Sequence, residues 1–462
     1  YIQRFVMLTP DTQFLYPELM DVVRLFPAPP DIEHAFRLEG CLFLNEVRAG
    51  GRVFSYQNEQ PWQGELERKR YAKRFAKLAV YLALRELTGI SMPWGALTGI
   101  RPTKLAYAEE AAGRDFAPMF RAFGVSEENI ALVRAVLRAQ QGIYGREEGA
   151  ADLYVGIPFC PSKCNYCSFI TADIGRTGQY VEGYLEALGR EIAACRGLYR
   201  RLKSVYIGGG TPLVLEPYRL RRVLEALSPF AEGGVEYTVE AGRPDVFTPE
   251  KLELLREFGV TRICVNPQTF CDATLERIGR RHTAADIDRA FEMARPFGFI
   301  VNFDLIAGLT GESAEEFCRG IDRAIQLSPE NITVHTLCLK KGAQLKEEES
   351  FLNVERIQEM IAYSRERLSQ SGYVPYYMYR QKYMAGNCEN TGWTKPGKAC
   401  VYNVDVMEEI TDNLACGANA VGKKIFPNEG RIERQGAPKD IPTYIKKIDG
   451  IIAGKRALFG GK

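Results

Sequence analysis

Apolar, strand-like runs alternate with helical patterns through the middle of this sequence, and that rhythm limits the folds open to the chain. Six such runs occur, at Leu153 to Ile157, Leu202 to Ile207, Val235 to Glu240, Thr261 to Val265, Phe299 to Ile306 and Ile332 to Leu339. Each gap between two runs is long enough for a crossover helix, which parallel strands require. We therefore predict an α/β architecture with a parallel sheet of six strand-helix units, fewer than the eight of a closed barrel.

The chain of 462 residues is too long for one ordinary domain. Residues 1–148 precede the alternating region and are predicted to form an α+β domain whose second half is helical. Residues 149–375 hold the six strand-helix units. After about residue 375 the alternation gives way to a Gly- and Tyr-rich tail, so we predict a small C-terminal capping domain over residues 376–462.

The overall charge gives no reason to expect a polyanionic partner. Sixty Lys and Arg residues face fifty-eight Asp and Glu residues, for a formal net charge of +2 at pH 7. No field of one sign therefore recruits nucleic acid or anionic lipid. No apolar stretch approaches the roughly 18 residues of a membrane span, and the first residues lack the apolar run of a secretory signal. We expect a cytoplasmic protein without a membrane span.

Three of the twelve cysteines, Cys160, Cys164 and Cys167, are spaced C-x3-C-x2-C after the first predicted strand. A structural zinc site needs four protein ligands, and no fourth Cys or His follows at a usable interval. Three thiolates suit an iron-sulfur cluster with one iron that lacks a protein ligand, on a loop where barrel enzymes place their chemistry. The alternative is three buried thiols that are close by coincidence. The other cysteines are expected to be reduced, because nothing indicates secretion.

This motif resembles that of the radical S-adenosylmethionine (radical SAM) superfamily, including the aromatic residue before the last cysteine, here Tyr166. The resemblance implies a [4Fe–4S] cluster on the three cysteines, with S-adenosylmethionine on the free iron. One electron from the cluster then yields a 5′-deoxyadenosyl radical. The resemblance also implies a partial (β/α)6, TIM-like barrel, in agreement with the six predicted units.

Further residues match positions that contact S-adenosylmethionine in this superfamily. The second predicted strand runs into Gly208, Gly209, Gly210, Thr211 and Pro212, similar to the motif that holds the methionine amino group; a tight turn is the alternative. Polar contacts to the cofactor are implied at Glu240, Gln268, Arg280 and Asp304, where salt bridges at a barrel rim are the alternative. Tyr154 and Phe169 match aromatic positions beside the cluster loop, with core packing as the alternative.

Within the superfamily, roughly residues 150–430 resemble the oxygen-independent coproporphyrinogen III oxidase group, and most closely its HemZ-type coproporphyrinogen dehydrogenases. The stretches YVGIPFCPSKCNYCSF, YTVEAGRPD, YRQKYMAGN and YNVDVMEEITDNLACGA carry this resemblance. It implies oxidative decarboxylation of two propionates of coproporphyrinogen III to vinyl groups, in haem biosynthesis. It further implies a tetrapyrrole substrate, an electron donor such as flavodoxin or ferredoxin, and a monomeric chain.

The sequence departs from this group near the predicted site. Gly156 stands where the well-described oxidase has a histidine, and Phe169 stands where it has a fourth cysteine. The run EAGRP from Glu240 to Pro244 replaces the more usual EANP, which puts the geometry around Glu240 in question. Haem chaperones of the group carry a His-Asn-x-x-Tyr-Trp stretch, whereas the matching segment here begins at Tyr402. A haem-ligating histidine is therefore not expected there, though a tyrosine can also ligate haem.

Candidate substrate contacts lie outside the six units. Cationic and amide side chains that suit porphyrin carboxylates occur in two stretches, at Arg101 and Lys104 and at Arg380, Gln381 and Lys382, with structural roles as the alternative. His282 and His335 are expected to be structural, because hydrogen abstraction by a radical needs no general base at the carbon.

A basic amphipathic helix is predicted between Glu65 and Leu87. The helix has apolar residues on one face, at Phe75, Leu78, Ala79 and Leu82, and basic residues opposite, at Arg68, Lys69, Arg70, Lys73, Arg74 and Lys77. A solvated face is favoured over one that binds RNA or haem propionates.

The alternative functions are a haem carrier and a methyltransferase acting on a tetrapyrrole or another substrate.

Overall fold

The computed structural model describes residues 6–8, 10–169, 171–231, 233–338, 354–381 and 384–460. Contacts divide the chain into two compact units, unit 1 with residues Tyr1–Ala135 and Tyr379–Glu389, and unit 2 with Val136–Met378 and Asn390–Lys462. The three-domain division at residues 148 and 375 remains a prediction, because the grouping of contacts does not test independent folding.

Unit 1 is built on a four-stranded sheet in the order β1-β2-β3-β4. Its strands and helices are β1 Val6–Leu8, α1 Tyr16–Val23, β2 Ile32–Glu39, β3 Leu42–Ala49, β4 Arg52–Glu59, α2 Gly64–Thr88, α3 Pro102–Ala111 and α4 Ala117–Ala122. Strand β1 is parallel to β2, whereas β2, β3 and β4 form antiparallel hairpins. Alternate residues of β3 are buried, and Phe43 packs on Phe75 of α2 with ring centroids 5.3 Å apart. The strand and helix patterns thus meet in one core.

Helix α2 confirms the predicted basic helix but not its uniformly solvated face. Arg68 pairs with Glu65 on the surface, and Lys73 Nζ lies 3.1 Å from a carboxylate oxygen of Glu18. Lys77 is only 5% exposed and donates to the carbonyl of Thr98 at 3.2 Å. The prediction for Lys77 was wrong because helical spacing places this residue at the edge of the apolar face, where its stem is covered.

Unit 2 contains the larger sheet, in the order β13-β14-β12-β11-β10-β9-β8-β5-β15-β16-β17. Helix α5 Glu127–Ala139 leads into it, and the strands are β5 Ala150–Ile157, β6 Phe159–Cys160, β7 Ala172–Asp173, β8 Arg201–Gly209, β9 Glu236–Gly242, β10 Arg262–Gln268, β11 Ile300–Ala307, β12 Asn331–Thr336, β13 Val374–Tyr379, β14 Asn390–Thr394, β15 Asp412–Cys416, β16 Val421–Phe426 and β17 Arg431–Gly436. Its remaining helices are α6 Ile174–Thr177, α7 Val181–Ala194, α8 Pro217–Leu227, α9 Pro249–Glu257, α10 Asp272–Arg277, α11 Ala284–Ala294, α12 Ala314–Leu327, α13 Val354–Gln370, α14 Val401–Glu408, α15 Ile441–Lys446 and α16 Ile448–Phe459.

The six predicted parallel strands are confirmed as β5, β8, β9, β10, β11 and β12. Each pairs in parallel with its neighbour in this order, and most of their residues are buried. Burial on both faces explains why these strands appear in the sequence as continuous apolar runs. A further parallel strand, β15, pairs with β5 on the other side and was not predicted. The α/β fold class and its partial barrel of parallel strands are as expected.

Buried charges close the amino-terminal end of the strands. Arg262, which is 1% exposed at the start of β10, lies 3.2 Å from a carboxylate oxygen of Glu236 at the start of β9. Glu236 also accepts a hydrogen bond from the backbone N–H of Tyr402 at 3.2 Å, in the first turn of α14. A carboxylate at a helix N-terminus is favourable. This pairing fixes the first turn of α14 at the amino-terminal end of the strands.

Among the described residues, no helix is both long enough and apolar enough to cross a membrane.

Candidate functional site

The predicted cofactor residues of unit 2 come together at the carboxyl ends of its parallel strands. The cysteine loop, residues 160–167, follows β5, and the glycine run, residues 208–210, lies at the end of β8. The polar residues Glu240, Gln268 and Asp304 lie near the ends of β9, β10 and β11. Carboxyl ends of parallel strands meet at one edge of a sheet, where α/β enzymes bind ligands. The topology therefore gathers residues that are more than a hundred positions apart in sequence.

The three cysteines of the candidate cluster site lie on one loop with little solvent. Cys164 is buried, Cys160 and Cys167 are half-buried, and the N–H of Cys167 donates to the carbonyl of Cys164 at 3.1 Å. Thr211 Oγ1 donates to Cys160 Sγ at 3.6 Å. Burial raises the pKa of the Cys160 and Cys167 thiols. Bound iron would be needed to hold them as thiolates.

No three His, Cys, Asp or Glu side chains among the described residues converge on a point that a single metal ion could occupy. A zinc ion would need its sulfur ligands at about 2.3 Å from one centre. The thiolates of a [4Fe–4S] cluster each bind a different iron and need no common point. The donor set of three thiols on one loop fits such a cluster.

The cysteine loop is anchored to the end of α10 and the segment that follows it. Asn165 Nδ2 donates to the carbonyl of Arg277 at 2.7 Å, and the Asn165 N–H donates to the carbonyl of Ile278 at 3.1 Å. Two residues on, Arg280 Nη2 donates to the Tyr166 hydroxyl at 3.1 Å. The aromatic residue of the cysteine motif is thereby fixed between two cysteines by a buried cation.

Arg280 is 8% exposed and brings to the cysteine loop a positive charge that pairs with no carboxylate among the described residues. Its other hydrogen bonds run to the carbonyl of Asn266 at 2.5 Å and to Cys164, and its Nε has no partner among the described residues. The pKa of Arg280 is raised, although burial alone would lower it, because Tyr166 and Cys164 favour the cation. A buried guanidinium without a carboxylate suits an anionic ligand. Contact of Arg280 with the methionine carboxylate remains a prediction.

The glycine run is a place where side chains do not fit. Gly209 has φ +102°, and a Cβ on Gly210 would lie 2.5 Å from the carbonyl oxygen of Phe159. The Gly210 N–H donates to the carbonyl of Ile157 at 2.8 Å, which ties the run to the strand that carries the cysteines. A Cβ on Gly208 would lie 3.0 Å from the carboxyl carbon of Glu240. Glycine is required here because the backbone passes so close to both neighbours.

Glu240 is the central carboxyl of the site. The Tyr206 hydroxyl donates to its Oε1 at 2.7 Å, and the Gly209 N–H donates to the same carboxyl group. Burial, with a smaller contribution from the negative charge of Asp304, raises the pKa of Glu240 to about 7. Near neutral pH the ionised group can therefore accept a hydrogen bond from a ligand hydroxyl or ammonium, and the protonated group can donate one to a ligand hydroxyl.

Asp304 lies beside two polar side chains at the ends of β11 and β12. Asn302 Nδ2 donates to Asp304 Oδ1 at 3.4 Å, and His335 Nε2 lies 3.7 Å from the same oxygen. Both Asp304 and His335 are half-buried. The structure thus adds His335 to this edge, where sequence reasoning gave it a structural role.

Gln268, the last residue of β10, has an unusual backbone. Its φ is +69°, in the left-handed region that non-glycine residues rarely occupy, and its side chain is buried. The pairing of β10 with β11 shifts register between Val265 and Gln268. Such strain is typically retained at functional sites. Its contact with a cofactor remains a prediction.

A cavity of about 300 Å³ opens next to Glu240. It is lined by Tyr154, Gly156, Pro158, Phe169, Tyr206, Gly209, Glu240, Tyr402, Ala418, Asn419 and Ala420. The rings of Tyr206 and Tyr402 stack with centroids 4.3 Å apart, and Tyr154 lies 6.3 Å from Tyr206. Phe169 is 66% exposed. The predicted aromatic pair thus lines the cavity, Tyr154 within a half-buried tyrosine stack and Phe169 with its ring largely in solvent.

Sequence reasoning missed several residues of this cavity. Tyr206 lines the cavity from β8, a strand predicted from its apolar residues, and Tyr402 reaches the cavity from α14. The segment Ala418 to Ala420 follows β15, the unpredicted parallel strand. The Tyr184 hydroxyl holds this segment in place, donating to the carbonyl of Gly156 at 2.6 Å and accepting from the Ala418 N–H at 3.2 Å. Only the alternation of β8 signalled that Tyr206 shares a face with Ser204 and Gly208.

Arg380 has its two Nη groups engaged inside unit 1. Its guanidinium donates to the carbonyl of Leu97 and to Asn387, and lies 5.0 Å from the ring centroid of Trp94. Arg380 is 7% exposed, and burial lowers its pKa to about 10. These contacts favour the structural alternative for Arg380.

The other predicted substrate residues also belong to unit 1 or lie outside the described residues. Arg101 is half-buried before α3, Lys104 is exposed on it, and Gln381 is half-buried. Lys382 lies outside the described part of the chain. Substrate contact by Arg101, Lys104 and Gln381 therefore remains a prediction.

His282 is buried, as a structural histidine would be. Burial, followed by the charge of Arg280, lowers the pKa of His282 to about 4, so the ring is neutral at pH 7. Its Nδ1 lies 3.8 Å from Asp245 Oδ1.

Comparisons with known proteins identify a family and individual relatives of this chain. The family described as the Radical SAM superfamily matches residues 154–324. The chain is 34% identical over 390 residues to the oxygen-independent coproporphyrinogen-III oxidase-like protein HemZ of Bacillus subtilis (strain 168), an alignment that covers 80% of this chain and 78% of that protein. It is 37% identical over 194 residues to the heme chaperone HemW of the same organism, covering 40% of this chain and 50% of HemW. HemW of Escherichia coli (strain K12) is 28% identical over 292 residues, covering 61% and 72%.

A solved structure supports the fold. The coproporphyrinogen III oxidase HemN from Escherichia coli, described as a radical SAM enzyme, superimposes with a TM-score of 0.52. The superposition covers 67% of this chain and 71% of that chain, at 21% sequence identity. At this identity the likeness establishes the architecture, a partial barrel of parallel strands.

Proposed function

Because this chain belongs to the coproporphyrinogen-III oxidase-like group of the radical SAM superfamily, which uses a [4Fe–4S] cluster and S-adenosylmethionine, we propose that it is a radical oxidoreductase acting on a porphyrinogen. The proposed reaction converts two propionate side chains of coproporphyrinogen III to vinyl groups. Each conversion releases carbon dioxide, a hydrogen atom that leaves in 5′-deoxyadenosine, and one electron that passes to a one-electron acceptor. The observation that carries the proposal is the meeting of three cysteines, a glycine run and Glu240 at the carboxyl ends of adjacent parallel strands.

We assign the cluster to Cys160, Cys164 and Cys167. Polar contacts to S-adenosylmethionine are assigned to the glycine run and Thr211, and to Glu240, Gln268, Arg280 and Asp304. When bound, the cluster and S-adenosylmethionine supply the 5′-deoxyadenosyl radical. The donor chemistry of the residues supports these assignments: thiols for iron, a buried guanidinium for a carboxylate, and carboxyls for hydroxyl or ammonium groups.

The chain's own residues are proposed to bind and orient the ligands and to exclude water. Arg280 supplies positive charge at the cysteine loop, and Glu240 and Asp304 supply hydrogen-bond acceptors on the facing strands. The rings of Tyr154, Tyr206 and Tyr402 stack beside Glu240, and we expect their faces to limit the entry of water. A reactive carbon radical needs such a dry surrounding, because side reactions compete with its transfer.

The test is anaerobic turnover of the reconstituted chain with S-adenosylmethionine, a reductant and coproporphyrinogen III, followed by mass spectrometry. We expect protoporphyrinogen IX and 5′-deoxyadenosine. Cys164→Ser is expected to abolish both products, whereas Cys195→Ser, which alters a buried cysteine outside the loop, is expected to retain them. Release of 5′-deoxyadenosine without a porphyrin product would reject the substrate but retain the radical class, and a methylated product would indicate a methyltransferase.

The second candidate function is a haem carrier, because relatives that match this chain are named heme chaperones. Tyr402 stands where that branch has its His-Asn-x-x-Tyr-Trp stretch, and here its ring is 9% exposed and stacked on Tyr206. A stacked, buried ring disfavours haem ligation by Tyr402. Stoichiometric haem binding and transfer without cleavage of S-adenosylmethionine would favour the carrier function.

We further propose that the chain works as a cytoplasmic monomer and accepts electrons from a flavodoxin or ferredoxin. Light scattering of the reconstituted chain and reduction of its cluster by each donor test these two points.

A further inference from the structure

Strand β9 carries an extra residue next to the cysteine loop. Ile263 and Val265 of β10 pair with Val239 and Gly242 of β9, so β9 spends one residue more than β10 over this stretch. Gly242 has φ +84°, as the extra residue of a bulge often does. This bulge lies in the EAGRP run, where the sequence departs from the usual EANP. It turns the next residue, Arg243, toward the loop.

Arg243 is buried and makes directed contacts on both sides of its guanidinium. It is 3% exposed, and its Nε and Nη2 donate to the two carboxylate oxygens of Asp245 at 2.9 and 2.8 Å. Its Nη1 donates to Ser162 Oγ at 2.6 Å. Ser162 lies between Cys160 and Cys164, the first two cysteines of the motif. The guanidinium therefore holds the cysteine loop from the β9 side, as Arg280 holds it from the β10 side.

The same bulge reaches the loop by a second contact. A Cβ on Gly242 would lie 3.0 Å from Thr211 Cγ2, and Thr211 Oγ1 donates to Cys160 Sγ at 3.6 Å. Ser162 in turn donates to the carbonyl of Gly279 at 3.5 Å. The loop is thus fixed between the ends of β9 and β10.

We propose that Arg243 is a positioning residue for the cluster loop, and that the Arg243–Asp245 pair tunes the reduction potential of the cluster. This proposal rests on the proposed function, since it requires a cluster on the three cysteines. A nearby cation favours the reduced, more negative form of a cluster, and a nearby anion favours the oxidised form. Arg243 is buried while 27% of the Asp245 side chain is exposed, so the cation has the larger effect. His282 is neutral beside the pair and adds no charge.

The test is a redox titration of the reconstituted full-length chain, followed by electron paramagnetic resonance, with iron per chain measured in parallel. Arg243→Met is expected to lower the ratio of reduced to oxidised cluster at a fixed potential by about tenfold. This corresponds to a reduction potential lower by about 59 mV for a one-electron couple. Asp245→Asn is expected to shift the ratio in the opposite direction and by less. Ser162→Ala, which leaves the ion pair intact, is expected to bind less iron per chain.

The matched control is Arg262→Met, which removes a buried, paired arginine at the far end of the neighbouring strand. It is expected to lower stability but to leave the reduction potential unchanged.

Opposite shifts of the reduction potential for Arg243→Met and Asp245→Asn distinguish tuning by charge from simple loosening of the loop. Loosening would shift the potentials of both variants in one direction. Shifts in the same direction, or unchanged potentials in both variants, overturn the assignment alone. A wild-type chain that binds no iron overturns the proposed function and this assignment with it. If Arg243→Met does not fold, the Asp245→Asn and Ser162→Ala results decide.

Discussion

Replacing Glu240 with glutamine is expected to stabilise the cofactor-free chain at alkaline pH. Burial and the charge of Asp304 raise the pKa of Glu240 from a usual value of 4.5 to about 7. Glutamine keeps the shape of the side chain and an oxygen for the hydroxyl of Tyr206, which donates to Glu240 at 2.7 Å. The variant therefore removes the ionisation of this group and little else.

The sign follows from the two pKa values. The folded chain holds the proton of Glu240 more tightly than the unfolded chain, so this stabilising contribution is fully present below pH 4.5 and is lost as the pH rises through 7. The difference between these pKa values, 7 minus 4.5, corresponds to about 3 kcal/mol of stability lost once the pH is well above 7. Between pH 5 and pH 8 the wild-type chain is expected to lose about 2.5 kcal/mol that the glutamine variant does not lose.

Urea unfolding of both cofactor-free chains at pH 5 and pH 8 measures this difference. Glu312→Gln is the matched control, because burial also raises the pKa of Glu312 to about 7 and Thr269 donates to it. Both variants are expected to gain stability at pH 8, but only Glu240→Gln is expected to weaken binding of S-adenosylmethionine, by about tenfold for a lost charged hydrogen bond. Equal gains for Glu240→Gln at both pH values would refute the reasoning, since its carboxyl would then be well solvated.

Three further variants test the site. Gly210→Ala places a Cβ 2.5 Å from a carbonyl oxygen and is expected to lower the free energy of unfolding by about 2 kcal/mol. Its control, Gly189→Ala, lies in open space on α7 and is expected to raise the free energy of unfolding by about 0.5 kcal/mol. Equal thermal midpoints for the two variants would contradict this. Arg280→Met removes the cation from the cysteine loop and is expected to weaken S-adenosylmethionine binding by at least about tenfold in equilibrium dialysis; unchanged affinity would assign Arg280 to the loop alone. Phe169→Ala is expected to change the free energy of unfolding, measured in urea, by less than about 0.5 kcal/mol, because the ring is 66% exposed. A large loss of stability would place Phe169 in a core.

The parallel sheet could be predicted because its strands are buried on both faces. Strand β5, for example, is almost continuously buried, and the sequence shows this as an apolar run before the cysteines. The start of α12 is equally local: Ser313 and Glu316 exchange hydrogen bonds at 3.1 and 2.8 Å, at the three-residue spacing of a capping box. Local rules suffice where each signal is contained in a short stretch.

The remaining features depend on contacts between distant segments. Strand β15 has only five residues, including Asp412 and Asn413, and is a strand because β5 offers it an edge. Tyr402 enters the cavity because Glu236 fixes the first turn of α14 from a different strand. The environment of Arg380 is set by Trp94 and Asn387, and Trp94 is far away in the chain. No local pattern records such partners.

Electron paramagnetic resonance of the reduced, anaerobically reconstituted chain, with and without S-adenosylmethionine, tests the central claim most directly. If Cys160, Cys164 and Cys167 leave one iron of a [4Fe–4S] cluster open, the reduced sample has a cluster signal, and S-adenosylmethionine changes its g-values. A chain that binds zinc or no metal, or whose cluster signal is unaffected by S-adenosylmethionine, would contradict the account.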